Sequence, residues 1–182
     1  DLGRVEIVAL PTAYRPDRFL RHYGTVRRQI SQLIDRAHFL SFSIGGLFGD
    51  WGSVACFEAH RKGRPFAVWT DRVESEVTRL HSKTAPTLKA RVRASLMHRP
   101  MAALERTIIR RATVGLFHGA ETYATYAPHA RAAETVHDIH LRAEDQIPME
   151  DLQAKQAGVL QGPLKICYVG RADPMKGPDD WI

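Results

Sequence analysis

Short apolar runs alternate along the chain with stretches in which apolar residues recur every three or four positions. The runs cover residues 5–10, 38–46, 65–70, 113–117 and 133–139, each of strand length and bounded by turn formers or polar residues. Between them, residues 23–37 set Val26, Ile30, Leu33 and Ile34 at helical spacing. Residues 51–62 repeat it through Val54, Phe57 and Glu58, and residues 120–126 allow one more short helix. Pro11 closes the first run, and Gly63 is the stop signal of the second helix. A strand that returns after each helix pairs in parallel with an earlier one, because the helix supplies the crossover. The pattern therefore predicts an α/β fold: a Rossmann-like parallel sheet with helices on both faces.

The pattern fails between residues 74 and 85, which reads as a mobile excursion with an exposed tip, and Pro86 opens the next helix. Leu88, Val92 and Leu96 then mark one helical face, and Leu104, Ile108 and Ala112 another, with Pro100 expected to kink or split the helix between them. The opposite faces carry Lys89, Arg91, Arg93, His98, Arg99, Arg106, Arg110 and Arg111, the most basic part of the chain. Such a face is either simply solvated or lies on anionic lipid.

Residues 141–162 are polar and turn-rich, with a short helix expected over 149–156. They read as a linker, so a domain boundary is expected near Gly158, with residues 1–157 forming one domain and 158–182 the start of a second. After the linker, residues 164–169 have the content of a buried parallel strand, and Gly170 lets the chain leave the sheet edge. Arg171 and Lys176 then project from the loop at the strand's carboxyl end, where open α/β sheets place their ligands. Gly177 precedes Pro178 where a helix would begin, so free N–H groups would face an anion there. An arginine fork and a lysine point charge together suit a diphosphate.

Composition narrows this further. The 182 residues are 44% hydrophobic and 25% charged, enough for one good core, and no apolar run approaches a membrane span. A cytoplasmic chain is expected. Cys56 and Cys167 have no spacing that fits a disulfide framework or a zinc site. His137, Asp138 and His140 resemble a ligand spacing, but neighbours on a strand point to opposite faces, so no metal is expected. A net charge of +6 implies anionic partners. The chain begins at Asp1 and stops at Trp181-Ile182 in what should be a helix, so it reads as an internal piece of a longer protein.

The Gly-Arg-x-x-x-x-Lys-Gly string at 170–177 resembles the segment that opens the second domain of GT-B glycosyltransferases of the family 4 type. The rest of the chain is similar to the first domain of that family, ending in a helix full of Arg, a strand, a short helix and a strand. The resemblance implies that residues 1–157 are the acceptor-side Rossmann-like domain of a GT-B fold. Residues 158–182 would then hold the first strand of the nucleotide-sugar-binding domain. It further implies transfer of a sugar from a nucleotide-diphosphate sugar to a hydroxyl acceptor on a glycan or lipid, as in polysaccharide synthesis. Gly170, Arg171, Lys176 and Gly177 would bind the donor diphosphate, and no metal or other cofactor would be needed. Peripheral contact with an anionic membrane fits such acceptors, and no nucleic acid is expected among the partners.

The family often places a His at a strand end facing the donor sugar, and the matching position here is Asp71, after Ala67-Val-Trp-Thr70. A carboxylate there would accept a hydrogen bond from a sugar hydroxyl or act as a base toward the acceptor. It could equally cap a helix or pair with Arg72. Gly45, Gly46 and His118 stand at other strand ends, where a plain turn and a core histidine are the ordinary readings. The rival to an enzyme is a non-catalytic Rossmann-like module that binds an anionic surface or partner through its basic helices.

Overall fold

The computed structural model describes residues 5–137 and 143–158. The chain divides into two compact units, Asp1–Asp138 and Ile139–Ile182. In the first, β1 (Ser41–Ser43), β2 (Ala67–Thr70), β3 (Val114–His118) and β4 (Ala133–Val136) form one sheet in the order β1-β2-β3-β4, every neighbouring pair parallel. It is flanked by α1 (Pro16–Arg36), α2 (Trp51–Arg61), α3 (Glu74–Thr84), α4 (Leu88–Arg111) and α5 (Gly119–Tyr126). This is the Rossmann-like α/β arrangement that the alternation of runs and helical spacings predicts.

Strand periodicity decides which residues meet the core. Val68 and Thr70 of β2 align with Gly115 and Phe117 of β3, and all four are buried, while Ala67, Trp69, Val114 and Leu116 on the other face are half-buried. The buried side joins Val26, Ile30 and Ile34 of α1, Val54, Ala55 and Ala59 of α2, and Ile108 and Ile109 of α4 in one core. Gly115 is there to make room. A Cβ at that position would lie 2.2 Å from the Phe117 ring, which folds back along its own strand.

Four elements differ from expectation, each for a physical reason. Residues 5–10 form no strand: a strand needs a bonded neighbour, and this segment runs instead along α1, with Glu6 paired to Arg36 at 3.4 Å and Ile7 84% exposed. Trp51 fixes the segment's end by donating its indole N–H to the Pro11 carbonyl. The supposed excursion at 74–85 is helix α3. It has no buried apolar stripe to read, since its one buried residue is Ser75. Pro100 does not split the long helix, which runs unbroken from Leu88 to Arg111 with Thr87 as its N-cap. Finally, the series Leu88, Val92, Leu96 faces solvent. The face of α4 turned toward α3 is built from smaller or more flexible residues, Ala90, Ala94, Met97 and Met101.

The second unit is described over 143–158, where a 3-10 turn (Ala143–Asp145) precedes α6 (Met149–Gly158), close to the short helix expected at 149–156. The strand expected at 164–169 lies outside the described residues, as do Cys167, Asp138 and His140. Among the described residues no helix is long and apolar enough to cross a membrane.

Candidate functional site

Because all four strands are parallel, their carboxyl ends share one edge of the sheet, and the loops that leave it bring Gly45, Asp71, His118 and His137 to the same side of the fold. Each loop has its own local logic.

After β1 the chain turns through Gly45-Gly46 into α2, whose N-cap is Asp50. One carboxylate oxygen of Asp50 accepts from the N–H groups of Gly52 (3.0 Å) and Ser53 (3.3 Å). The other accepts from Gly45 (3.1 Å), Gly46 (3.4 Å) and the Ser53 hydroxyl. A glycine loop opening a helix is an anion cradle in many α/β folds. Here the anion is the loop's own aspartate. Gly52 permits the arrangement by bringing the first turn of α2 against β1, since a Cβ there would sit 1.8 Å from the Ser43 carbonyl oxygen. The cavity beneath the loop, bordered by Ile44, Met101 and Leu104, is about 10 Å³, room for no more than a water. For Gly45 and Gly46 the turn reading therefore stands.

After β2 the Thr70 hydroxyl donates to the Arg72 carbonyl at 2.8 Å and shapes a tight turn. Arg72 gives its Nε to Glu74 at 2.6 Å, and this partner raises the guanidinium's pKa further. The cap position of α3 is held by Val73, without a side-chain bond. Asp71 lies between these residues, exposed. It is therefore not the helix cap and makes no direct ion pair with Arg72, although its charge acts on that guanidinium more weakly than Glu74 does. Glu74 reaches toward the first loop, its Oε1 3.9 Å from where a Gly45 Cβ would be, so the β1 and β2 loops adjoin.

His118 ends β3 opposite Val136 of β4, and His137 follows it, so their rings meet edge to face at 6.5 Å. Gly119, at φ 79°, makes the turn from β3 into α5. Among the described residues no three His, Cys, Asp or Glu side chains gather as a metal site would require.

Behind this edge lies a buried polar joint that sequence reasoning missed. Glu105 of α4 accepts from the Ser75 N–H (2.8 Å) and hydroxyl (2.6 Å), so it caps α3 from another helix; Tyr126 of α5 bonds to it as well. Burial pushes the Glu105 carboxyl above its usual range despite these donors, and burial with the adjacent Glu105 raises the Tyr126 hydroxyl. Burial likewise raises the Cys56 thiol, which leaves it unreactive. Sequence reading missed Asp50 too, although an Asp directly before a helical pattern is the capping signal that could have found it.

Of the residues that sequence analysis singled out, Asp71 stands on this edge, and Gly170, Arg171, Lys176 and Gly177 lie outside the described residues. Comparison with protein-family models, curated protein sequences and solved structures finds no match to this chain.

Proposed function

We propose that the chain belongs to a glycosyltransferase that moves a sugar from a nucleotide-diphosphate sugar to a hydroxyl acceptor. The observation that carries the reading is Asp71: an exposed carboxylate at the carboxyl end of a parallel strand, with the cap of α3 held by Val73 and the direct ion pair to Arg72 made by Glu74. A group so placed is free to accept a proton or a hydrogen bond from a sugar hydroxyl. The Gly-Arg-x-x-x-x-Lys-Gly string supports the donor side in sequence, because Arg171 and Lys176 would stabilise the diphosphate as charge builds on it during bond breaking. In this reading the cations and a helix N-terminus do the work that a metal does elsewhere.

Release of nucleoside diphosphate from UDP- and GDP-sugars, measured with acceptor hydroxyls present, tests this. Arg171→Ala and Lys176→Ala should each lower turnover by roughly 30- to 1,000-fold with the fold intact. Arg171→Lys should rescue only part of the loss, since an ammonium lacks the two-pronged contact. Near-normal turnover in both alanine variants would remove the diphosphate assignment. A non-catalytic module is the second reading, favoured by the closed loop after β1, whose cavity of about 10 Å³ is too small for a sugar or nucleotide. Absence of release with every nucleotide sugar would leave that reading in place.

A further inference from the structure

We propose that the solvent face of α4 docks on an anionic lipid bilayer. This rests on the described helix alone and stands whether or not the chain transfers a sugar.

Leu88, Val92 and Leu96 occupy successive turns of α4 and are 77%, 50% and 71% exposed. An ordinary surface helix turns its polar residues outward and its apolar stripe inward. Here the inward side is Ala94 with Ala90, Met97 and Met101, so the larger aliphatic row is the one in water. At 100° per residue, Lys89 and Arg93 flank that row on one side and Arg91 on the other, with Arg99 continuing it. The surrounding sequence is free of counter-charge. From Val77 to Leu104 there is no Asp or Glu, and the cations are Arg79, Lys83, Lys89, Arg91, Arg93 and Arg99. Arg79 pairs with Glu76 at 2.6 Å; among the described residues the other five take part in no ion pair.

Charge complementarity selects the occupant. A second copy of this face would set cations against cations with no acid to separate them. Nucleic acid would use the cations but leave the aliphatic row against phosphates. An anionic bilayer takes both, with the side chains of Leu88, Val92 and Leu96 at the acyl boundary and the cations among the headgroups. The two attractions reinforce each other, and each is weak alone.

Co-sedimentation of the chain with vesicles of phosphatidylcholine, or of phosphatidylcholine and phosphatidylglycerol in equal parts, tests the proposal. Binding should appear only with the anionic vesicles and fall by about tenfold between ~50 and ~300 mM salt. The variants L88Q/V92Q/L96Q and K89Q/R93Q/R99Q should each lose about tenfold or more in partitioning, with unchanged melting because every substituted residue is exposed. Absence of binding at low salt, or equal binding to neutral vesicles, overturns the proposal. So does an aliphatic triple variant that binds as well as the parent, because the contact is then plain adsorption of charge. A dimer in sedimentation velocity that disappears in L88Q/V92Q/L96Q assigns the face to self-association instead. DNA binding that survives the same variant and exceeds vesicle binding assigns it to nucleic acid.

Discussion

Two parts of the first unit each bury one glutamate and hold it in opposite ways. Glu58 of α2 meets guanidinium groups: Arg27 of α1 at 2.9 Å, and Arg61 through Nε at 3.1 Å and a closer Nη2 contact. Hydrogen bonding from Arg61, helped by Arg27 and Ser31, holds its carboxyl at about 2. Glu105 of α4 meets neutral donors from Ser75 and Tyr126, and burial wins. Both side chains are closed to solvent, but Glu105 lies deeper, so the partner's charge and the depth of burial together set the direction. The consequence is architectural. Helices α1 and α2 are joined mainly by an apolar core, with Glu58 as an addition. Helix α3 has no buried apolar stripe; Glu105 joins its first turn to α4, and Thr78 meets Met101 further along.

The largest effect should come from the tight side of this comparison. Gly52→Ala sets a methyl group 1.8 Å from the Ser43 carbonyl oxygen, backbone against backbone, so α2 must lift from β1. A loss of at least about 3 kcal/mol is expected, read from the denaturant midpoint. A midpoint close to the parent's would show that the α2–β1 contact has slack. Smaller but more local is Glu105→Ala, which strips α3 of its cap and leaves the buried Ser75 N–H without a partner. The expected cost is about 2–3 kcal/mol, with hydrogen exchange rising in α3 while α1 and α2 stay protected. Uniform loss of protection would mean that α3, α4 and the sheet unfold as one.

Next in size is Glu58→Gln, expected to cost about 1–2 kcal/mol at neutral pH, because two of the charges involved are partly exposed. Its pH dependence has a definite sign. The carboxyl falls from an ordinary 4.5 to about 2 on folding, so its contribution is present above 4.5 and lost as pH drops through 2. Parent and variant stabilities should converge toward pH 2. Glu105, raised on folding, works the other way: its contribution is complete below 4.5 and lost as pH rises through the folded value. Melting curves at several pH values for Glu58→Gln and Glu105→Gln separate the two. Parallel profiles for both variants would contradict the assignment of opposite shifts.

What was legible in the sequence follows from the same contrast. Strands β2 and β3 and helices α1 and α2 bury apolar residues at the periods of their elements, and so their positions can be read from the pattern. Helix α3 is invisible to that reading because its joint is a serine bonded to a glutamate thirty residues away. Residues 5–10 have the composition of a strand and lack the bonded neighbour that would make them one. On α4 the periodicity was real but its direction was not: spacing marks a face without saying whether core or water lies beyond it. The position of Asp71 just after a strand was legible from the pattern, while its proposed role came from the resemblance. The five donors around Asp50 depend on how the loop folds back, which spacing does not encode.

The smallest expected effect on stability is also the sharpest test of the site. Asp50 and Asp71 end the loops of adjacent strands, one saturated with donors and the other exposed. Asp50→Ala removes the acceptor of five bonds and should cost about 1–2 kcal/mol, as loss of a helix cap does. Asp71→Asn removes a charge and no structural bond, so its melting should match the parent within about 0.5 kcal/mol. If the Asp71 carboxylate takes a proton from the acceptor, the same variant should lower turnover while leaving donor binding unchanged, a loss in kcat without a rise in KM. A melt shifted as far as that of Asp50→Ala would instead give Asp71 a structural task. Unchanged melting with unchanged turnover would leave the edge of the sheet without a catalytic carboxylate, and the glycosyltransferase reading would then depend on Arg171 and Lys176 alone.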